Sequence, residues 1–223
     1  MTQQTNQEQP QAMDYTAKIV REYGPFDGAD QVHGVTFDGQ RIWAATGAKL
    51  IAFNPESGTV SHTLDRACDA GTAFDGVYLY QIAEERIYKI DPSNNKVVAS
   101  IPAPGHGSDS GLTWAEGSLW VGQYPDRKIH QIDPETGAVI RSIESNRYVT
   151  GVTWVDGELW HGTWEGDEST IRRIDTESGA VLEQLEMPPG TSVSGLESDG
   201  ADIFYCGGGA SGKVRAVRRP KQQ

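Results

Sequence analysis

The stretch SGLTWAEGSLWVG (residues 110–122) is followed shortly by KIHQIDPETGAVI (residues 128–140). Apolar and polar residues alternate along both stretches, as they do in strands with one buried face. The turn signals AEG and DPETG divide them further, because Gly, Pro and Asp favour tight turns. This part of the chain therefore predicts four short strands joined in series.

The same four-strand pattern recurs five times. Each copy opens on a glycine, at Gly34, Gly71, Gly111, Gly151 and Gly195. Repeats of about 40 residues that contain four strands are typical of propeller blades. A second-strand aromatic also recurs at one register, which favours packing between neighbouring sheets. The sequence therefore predicts an all-β, five-bladed β-propeller.

The fifth copy ends after its third strand, while an orphan strand, YTAKIVREY (residues 15–23), precedes the first copy. This orphan strand has the pattern of an outermost strand. We expect it to complete the last blade, which would remove a free sheet edge. The predicted organisation is a disordered tail (1–13), a single propeller domain (14–219) and a C-terminal tail (220–223).

Composition excludes several classes of function. The chain has 223 residues and a net charge of −12, which argues against a nucleic-acid partner. It contains no run of about 20 apolar residues that could span a membrane. The polar, Gln-rich N-terminus is not a secretory signal, so we expect a cytoplasmic protein unless a signal has been removed. Cys68 and Cys206 are too few for a disulfide framework and are expected to be reduced thiols.

The loops of one face are irregular, whereas those of the other face are uniform turns. Irregular loops on a rigid scaffold commonly carry binding residues, so we place the site at this mouth. Trp164 stands outside the repeat register, and Tyr124 occupies the matching place one blade earlier. Rim packing is the structural alternative for both. The predicted ligand-contacting residues are Trp164, Tyr124, Asp69, Asp109, Gln81 and Tyr148.

Four residues are candidates for acid–base catalysis: Glu197, His33, His161 and His106. Glu197 takes a repeat position that is Thr or Ala in the other copies, so it should face the central channel or an adjacent blade. Burial there would raise the pKa of its carboxyl group. A hydrogen-bonded structural role is the alternative. No HxH or HxxxH spacing supports a metal site, so no cofactor is predicted, with a divalent metal kept as an alternative.

The repeats resemble the plant and bacterial type of glutaminyl cyclotransferase. The segments that carry the resemblance are His33–Val35, Ile42–Gly47, Leu79–Gln81, Gly111–Thr113, Leu119–Val121 and Leu159–Trp164. The resemblance implies a five-bladed propeller that cyclises N-terminal glutamine. The family's Glu in Y-E-S-T-G corresponds to Ala44, and its G-E-G motif corresponds to residues 69–71, Asp-Ala-Gly. A weaker resemblance to streptogramin lyases implies elimination by a His base with magnesium.

Two functions follow as hypotheses. The first is an enzyme of cyclotransferase-like or lyase-like type that acts on a small molecule or a peptide terminus at the mouth. The second is a non-catalytic propeller that binds a ligand or partner at the same mouth. The oligomeric state is not predicted.

Overall fold

A computed structural model describes residues 12–221. It contains 21 strands in five sheets, each built on four antiparallel strands. Before the first blade lie β1 (Met13–Thr16) and β2 (Ile19–Tyr23). Blade 1 comprises β3 (Gly34–Phe37), β4 (Ile42–Ala45), β5 (Gly47–Phe53) and β6 (Val60–Cys68). Blade 2 comprises β7 (Thr72–Phe74), β8 (Leu79–Ala83), β9 (Arg86–Asp91) and β10 (Lys96–Pro102).

The remaining blades repeat this arrangement. Blade 3 comprises β11 (Asp109–Ala115), β12 (Ser118–Gln123), β13 (Lys128–Ile132) and β14 (Val139–Glu144). Blade 4 comprises β15 (Val149–Val155), β16 (Glu158–Glu165), β17 (Glu168–Ile174) and β18 (Val181–Glu186). Blade 5 comprises β19 (Gly195–Ser198), β20 (Ile203–Gly207) and β21 (Val214–Arg218). The predicted five-bladed propeller is confirmed.

The N-terminal strand closes the ring, as predicted, but over a shorter range than residues 15–23. Strand β2 pairs antiparallel with β21 and supplies the fourth strand of blade 5. Strand β1 pairs in parallel with β18, so it adds a fifth strand to blade 4. The chain crosses between the two blades at Ala17 and Lys18, whose backbone groups bond to Glu186 of blade 4 and Arg218 of blade 5.

Most residues of the two predicted tails are not among those that the structure describes. Residues 1–11 and 222–223 lie outside the described residues. Met13, which the sequence places in the N-terminal tail, lies in β1, so the tail is shorter than predicted. Both cysteines are free and buried, Cys68 in blade 1 and Cys206 in blade 5.

Aromatic side chains join neighbouring blades. Trp120 of blade 3 stacks on Trp154 of blade 4 with ring centroids 5.2 Å apart. Trp160 of blade 4 packs on Phe204 of blade 5 at 5.0 Å. Such pairs contribute about 0.5–1.5 kcal/mol each beyond the area that they bury. The recurring aromatic register thus holds adjacent sheets together.

The five repeat glycines close the middle of the propeller. A Cβ atom on Gly71 would lie 2.4 Å from the Leu112 nitrogen, and one on Gly151 would lie 2.3 Å from the Leu196 nitrogen. The other three glycines also face the inner strand of the next blade at less than 3.0 Å. Because no side chain separates them, the inner strands abut. This glycine ring forms a floor beneath the mouth.

Candidate functional site

A cavity of about 350 Å³ lies at the mouth, above the glycine ring. Its floor carries one residue from each blade, always the residue directly before the ring glycine. These five residues are His33, Ala70, Ser110, Thr150 and Ser194. The pseudo-fivefold repeat therefore brings five chemically different side chains to equivalent places around one axis.

Two carboxylates stand one residue further out, where the other three blades carry valine. Asp69 belongs to blade 2 and Asp109 to blade 3, and both line the cavity. Asp109 is 9% exposed, and its Oδ1 accepts a hydrogen bond of 2.9 Å from the Gly105 backbone N–H. Its Oδ2 is buried and has no hydrogen-bond partner in the described part of the chain. Burial raises the pKa of this carboxyl group above its usual range.

His33 is the only histidine among the cavity-lining residues. Its backbone N–H bonds to the Ala45 carbonyl over 2.8 Å, which extends the β3–β4 pairing to the mouth. The ring is half-buried, and desolvation lowers its pKa, while the nearby Asp69 carboxylate acts in the opposite direction. The imidazole is therefore neutral at pH 7 and able to accept a proton.

An aromatic wall, formed by Tyr124, Trp164 and Tyr148, borders the cavity on the side of blades 3 and 4. Tyr124 and Trp164 line the cavity, and the Tyr124 hydroxyl donates to the Trp164 carbonyl over 3.3 Å. Tyr148 stacks behind Tyr124 at 4.7 Å. The wall thus joins the loop after β12 to the end of β16 in the adjacent blade, and it presents a 43%-exposed indole.

Charged residues pack against the outer side of this aromatic wall. Glu165 forms ion pairs with Arg127 over 3.3 Å and with Arg147 over 2.6 Å. The Arg127 guanidinium lies 4.3 Å from the centre of the Tyr148 ring. Because these groups are partly exposed, each pair contributes little to stability, about 0–1 kcal/mol. Together they link the end of β16 to the two loops that carry Arg127 and Arg147.

Two of the predicted histidines lie away from the cavity. His161 is fully buried, its Nδ1–H donates to the Gly162 carbonyl over 3.1 Å, and burial lowers its pKa to about 4. Since Trp160 packs on blade 5, the side chain of the next residue faces blade 3 instead of the mouth. His106 is exposed on a neighbouring loop and does not line the cavity. Of the three candidate histidines, only His33 lines this cavity.

Gln81 and Glu197 both lie beneath the cavity instead of lining it. The Gln81 amide donates to the carbonyls of Ala70 and Gly71 at 3.1 and 3.2 Å, so it supports the floor. Glu197 lies two residues past its ring glycine and is hydrogen-bonded to Thr36 and Thr153. Its carboxyl group is separated from the mouth by the glycine ring, and burial raises its pKa to about 7. The expected raised pKa is found, but the position is that of an interior residue.

Sequence reasoning missed Ser110, Thr150 and Ser194. The sequence does contain a signal for them, because each directly precedes a repeat glycine, as His33 does. The Ser110 hydroxyl donates to the Val149 carbonyl over 2.7 Å, whereas the buried Thr150 Oγ1 has no partner among residues 12–221. The Thr150 hydroxyl is therefore the one of these three without a hydrogen-bond partner in the described part of the chain.

The cavity combines carboxylates, hydroxyls, an imidazole and aromatic faces, and no Lys or Arg lines it. This set favours a positively charged or hydrogen-bond-donating ligand. Within residues 12–221, no group of three or more His, Cys, Asp or Glu side chains is arranged to hold a metal ion. The same residues include no helix long and apolar enough to cross a bilayer.

No family model and no curated protein sequence matches this chain. Solved structures do match. The glutaminyl cyclase of Myxococcus xanthus is 16% identical, with a TM-score of 0.76 over 93% of this chain and 98% of that chain. The Cps50 (Swd1) β-propeller domain of Myceliophteria thermophila is 10% identical, with a TM-score of 0.60 over 92% and 100%. The RRP9 WD40 repeats are 11% identical, with a TM-score of 0.56 over 93% and 99%.

The chain is similar to glutaminyl cyclase in fold. This agrees with the resemblance found in the sequence. At identities of 10–16% the likeness establishes the β-propeller architecture alone, since folds of this kind host many functions. The site itself must therefore support any statement about function.

Proposed function

We propose that this protein is an enzyme that acts on a small molecule or a peptide N-terminus at the mouth cavity, in the manner of a glutaminyl cyclotransferase. One observation carries the proposal: the neutral His33 ring faces the same cavity as Asp69 and Asp109. A general base next to carboxylates suits a reaction in which an amine must be bound and then deprotonated.

The chemistry of cyclisation can be written with these residues. The α-amino nitrogen of an N-terminal glutamine attacks its own side-chain amide carbon, a C–N bond forms, and ammonia leaves. The proton that the amine loses must reach the departing nitrogen. His33 can carry that proton, while an aspartate holds the amine in place.

Two features favour binding without catalysis as the second candidate. Ala44, at the position of the family's Y-E-S-T-G glutamate, is fully buried among apolar side chains of blades 5 and 1. Ala70 supplies no carboxylate at the position of the G-E-G glutamate, although Asp69 precedes it. A cavity with this composition could bind a cationic ligand without transforming it.

Incubation with Gln-initiated peptides, read by ammonia release and by mass, distinguishes the two candidates. The enzyme proposal predicts pyroglutamate formation that falls by roughly 10²–10⁴-fold in His33→Ala. His106→Ala is the matched control, because its imidazole is exposed and outside the cavity. Saturable peptide binding without ammonia release would support the binding alternative instead.

A further inference from the structure

Two buried polar atoms at the mouth lack hydrogen-bond partners in the described part of the chain, namely Asp109 Oδ2 and Thr150 Oγ1. Their residues are 9% and 5% exposed, belong to adjacent blades 3 and 4, and line the same cavity. A buried polar atom without a partner costs about 1–3 kcal/mol. A ligand group that donates hydrogen bonds would remove this penalty.

The surrounding loop is built to present the Asp109 carboxylate in one orientation. Its Oδ1 is fixed by the Gly105 backbone N–H at 2.9 Å. A side chain at Gly105 would place a Cβ 2.6 Å from the same oxygen, so the loop packs directly against the carboxylate. The same Cβ would lie 3.0 Å from Oδ2, so the loop packs on both oxygens. Oδ2 is the one without a hydrogen-bond partner in the described part of the chain, which leaves it to accept from a ligand.

The groups that line the rest of the cavity favour a positively charged ligand. Asp69 lies on the next blade at the equivalent position, and the cavity lining includes no Lys or Arg. Tyr124 and Trp164 add two aromatic side chains, which attract cations as well as flat apolar groups. Anions are disfavoured, because the lining holds two carboxylates and no Lys or Arg to balance an anionic charge.

We infer that Asp109 anchors a primary ammonium group, and that the ligand carries a flat apolar group beside it, against Tyr124 and Trp164. The ammonium donates to Asp109 Oδ2, the carboxylate oxygen that has no partner within residues 12–221. This inference names a ligand class for the site of the proposed function and rests on that proposal only for the site's location.

Phenethylamine is a suitable probe, and 2-phenylethanol is its neutral isostere. Binding is followed by NMR through the Trp164 indole N–H resonance, assigned with Trp164→Phe. We expect saturable binding of the amine and at least tenfold weaker binding of the alcohol. Asp109→Asn should weaken amine binding at least tenfold, whereas Asp126→Asn, an equal charge change at an exposed residue outside the cavity, should alter it less than twofold.

Equal affinity for the amine and the alcohol would overturn the inference without any variant. No saturable binding of the amine, or unchanged affinity in Asp109→Asn, would also overturn it. Amine binding that depends on Asp109 without any pyroglutamate formation would leave this inference standing and remove the enzyme proposal. Cyclisation with an unchanged KM in Asp109→Asn would support the enzyme proposal and overturn the inference about Asp109.

Discussion

Thr153 and Glu197 meet across the boundary between blades 4 and 5, where the Thr153 hydroxyl donates to Glu197 Oε1 over 2.6 Å. Thr36 of blade 1 donates to Oε2 over 2.9 Å, and the Ser198 backbone N–H donates to Oε1 over 2.8 Å. One side chain thus links three blades beneath the glycine ring. This carboxyl group replaces the Thr or Ala of the other four repeats.

Glu197 should make the protein less stable as pH rises. Its pKa is about 7 in the folded state, above the value of 4.5 expected in the unfolded chain. Between these values the unfolded state loses the proton while the folded state keeps it, so the free energy of unfolding falls, by roughly 3 kcal/mol in total. Urea denaturation across pH 4–8 should show this decline, and Glu197→Gln should flatten it.

Glu116→Gln is the control for this measurement, because Glu116 lies at an exposed turn, and it should keep the wild-type profile. Identical profiles for wild type and Glu197→Gln would contradict the prediction.

The glycine ring should tolerate no side chain. In Gly151→Ala the new Cβ would lie 2.3 Å from the Leu196 nitrogen, so two inner strands must separate. We expect a loss of about 3 kcal/mol in the free energy of unfolding, the upper end of the usual cost of overpacking. Gly157→Ala is the control, since its φ of +76° is strained but no atom lies within 4 Å of the added Cβ. That control should lose only about 1–2 kcal/mol, and equal losses in both variants would rule out the close-packed ring.

The two N-terminal strands should differ in importance. Removal of residues 1–16 takes away β1, which only extends blade 4. Removal of residues 1–23 also deletes β2 and Tyr23, whose ring lies 4.8 Å from Phe53 and whose hydroxyl donates to the Pro55 carbonyl over 2.8 Å. Calorimetry should show a cooperative transition in the first truncation and none in the second. A similar melting temperature for the longer truncation and the full chain would refute closure by β2.

The pH dependence of turnover should report His33. Burial lowers its pKa below the ordinary value of 6.5, so the basic form persists into mildly acidic solution. With a Gln-initiated peptide, the acid limb of kcat/KM should have its midpoint below pH 6.5. That limb should disappear from the residual activity of His33→Ala and remain in His106→Ala. A midpoint above 6.5 would indicate a different base.

Much of the fold could be predicted from the sequence, because each blade is a local unit. The repeat glycines, the alternation of apolar residues and the turn residues each act within a few residues, and five copies confirm one another. The shortened closing strand was missed, since the chain changes blades at Ala17 and Lys18 without any break in its strand-like pattern. Only the positions of two sheet edges decide where β1 ends and β2 begins.

The candidate site was predictable only in part. The mouth face and its irregular loops followed from the repeat, and His33, Asp69, Asp109, Tyr124 and Trp164 do line one cavity. His161 and Glu197 break the repeat just as clearly, yet they lie in the interior. The side-chain direction along a pleated strand turns His161 toward blade 3, and the abutting glycines seal Glu197 below the floor. The sequence alone determined the number of blades and that an N-terminal strand completes the last one, because the repeat and the missing fourth strand of its fifth copy can both be read from it. Which unusual residues share a cavity was decided only by the tertiary structure, because it depends on how closely five inner strands approach one another.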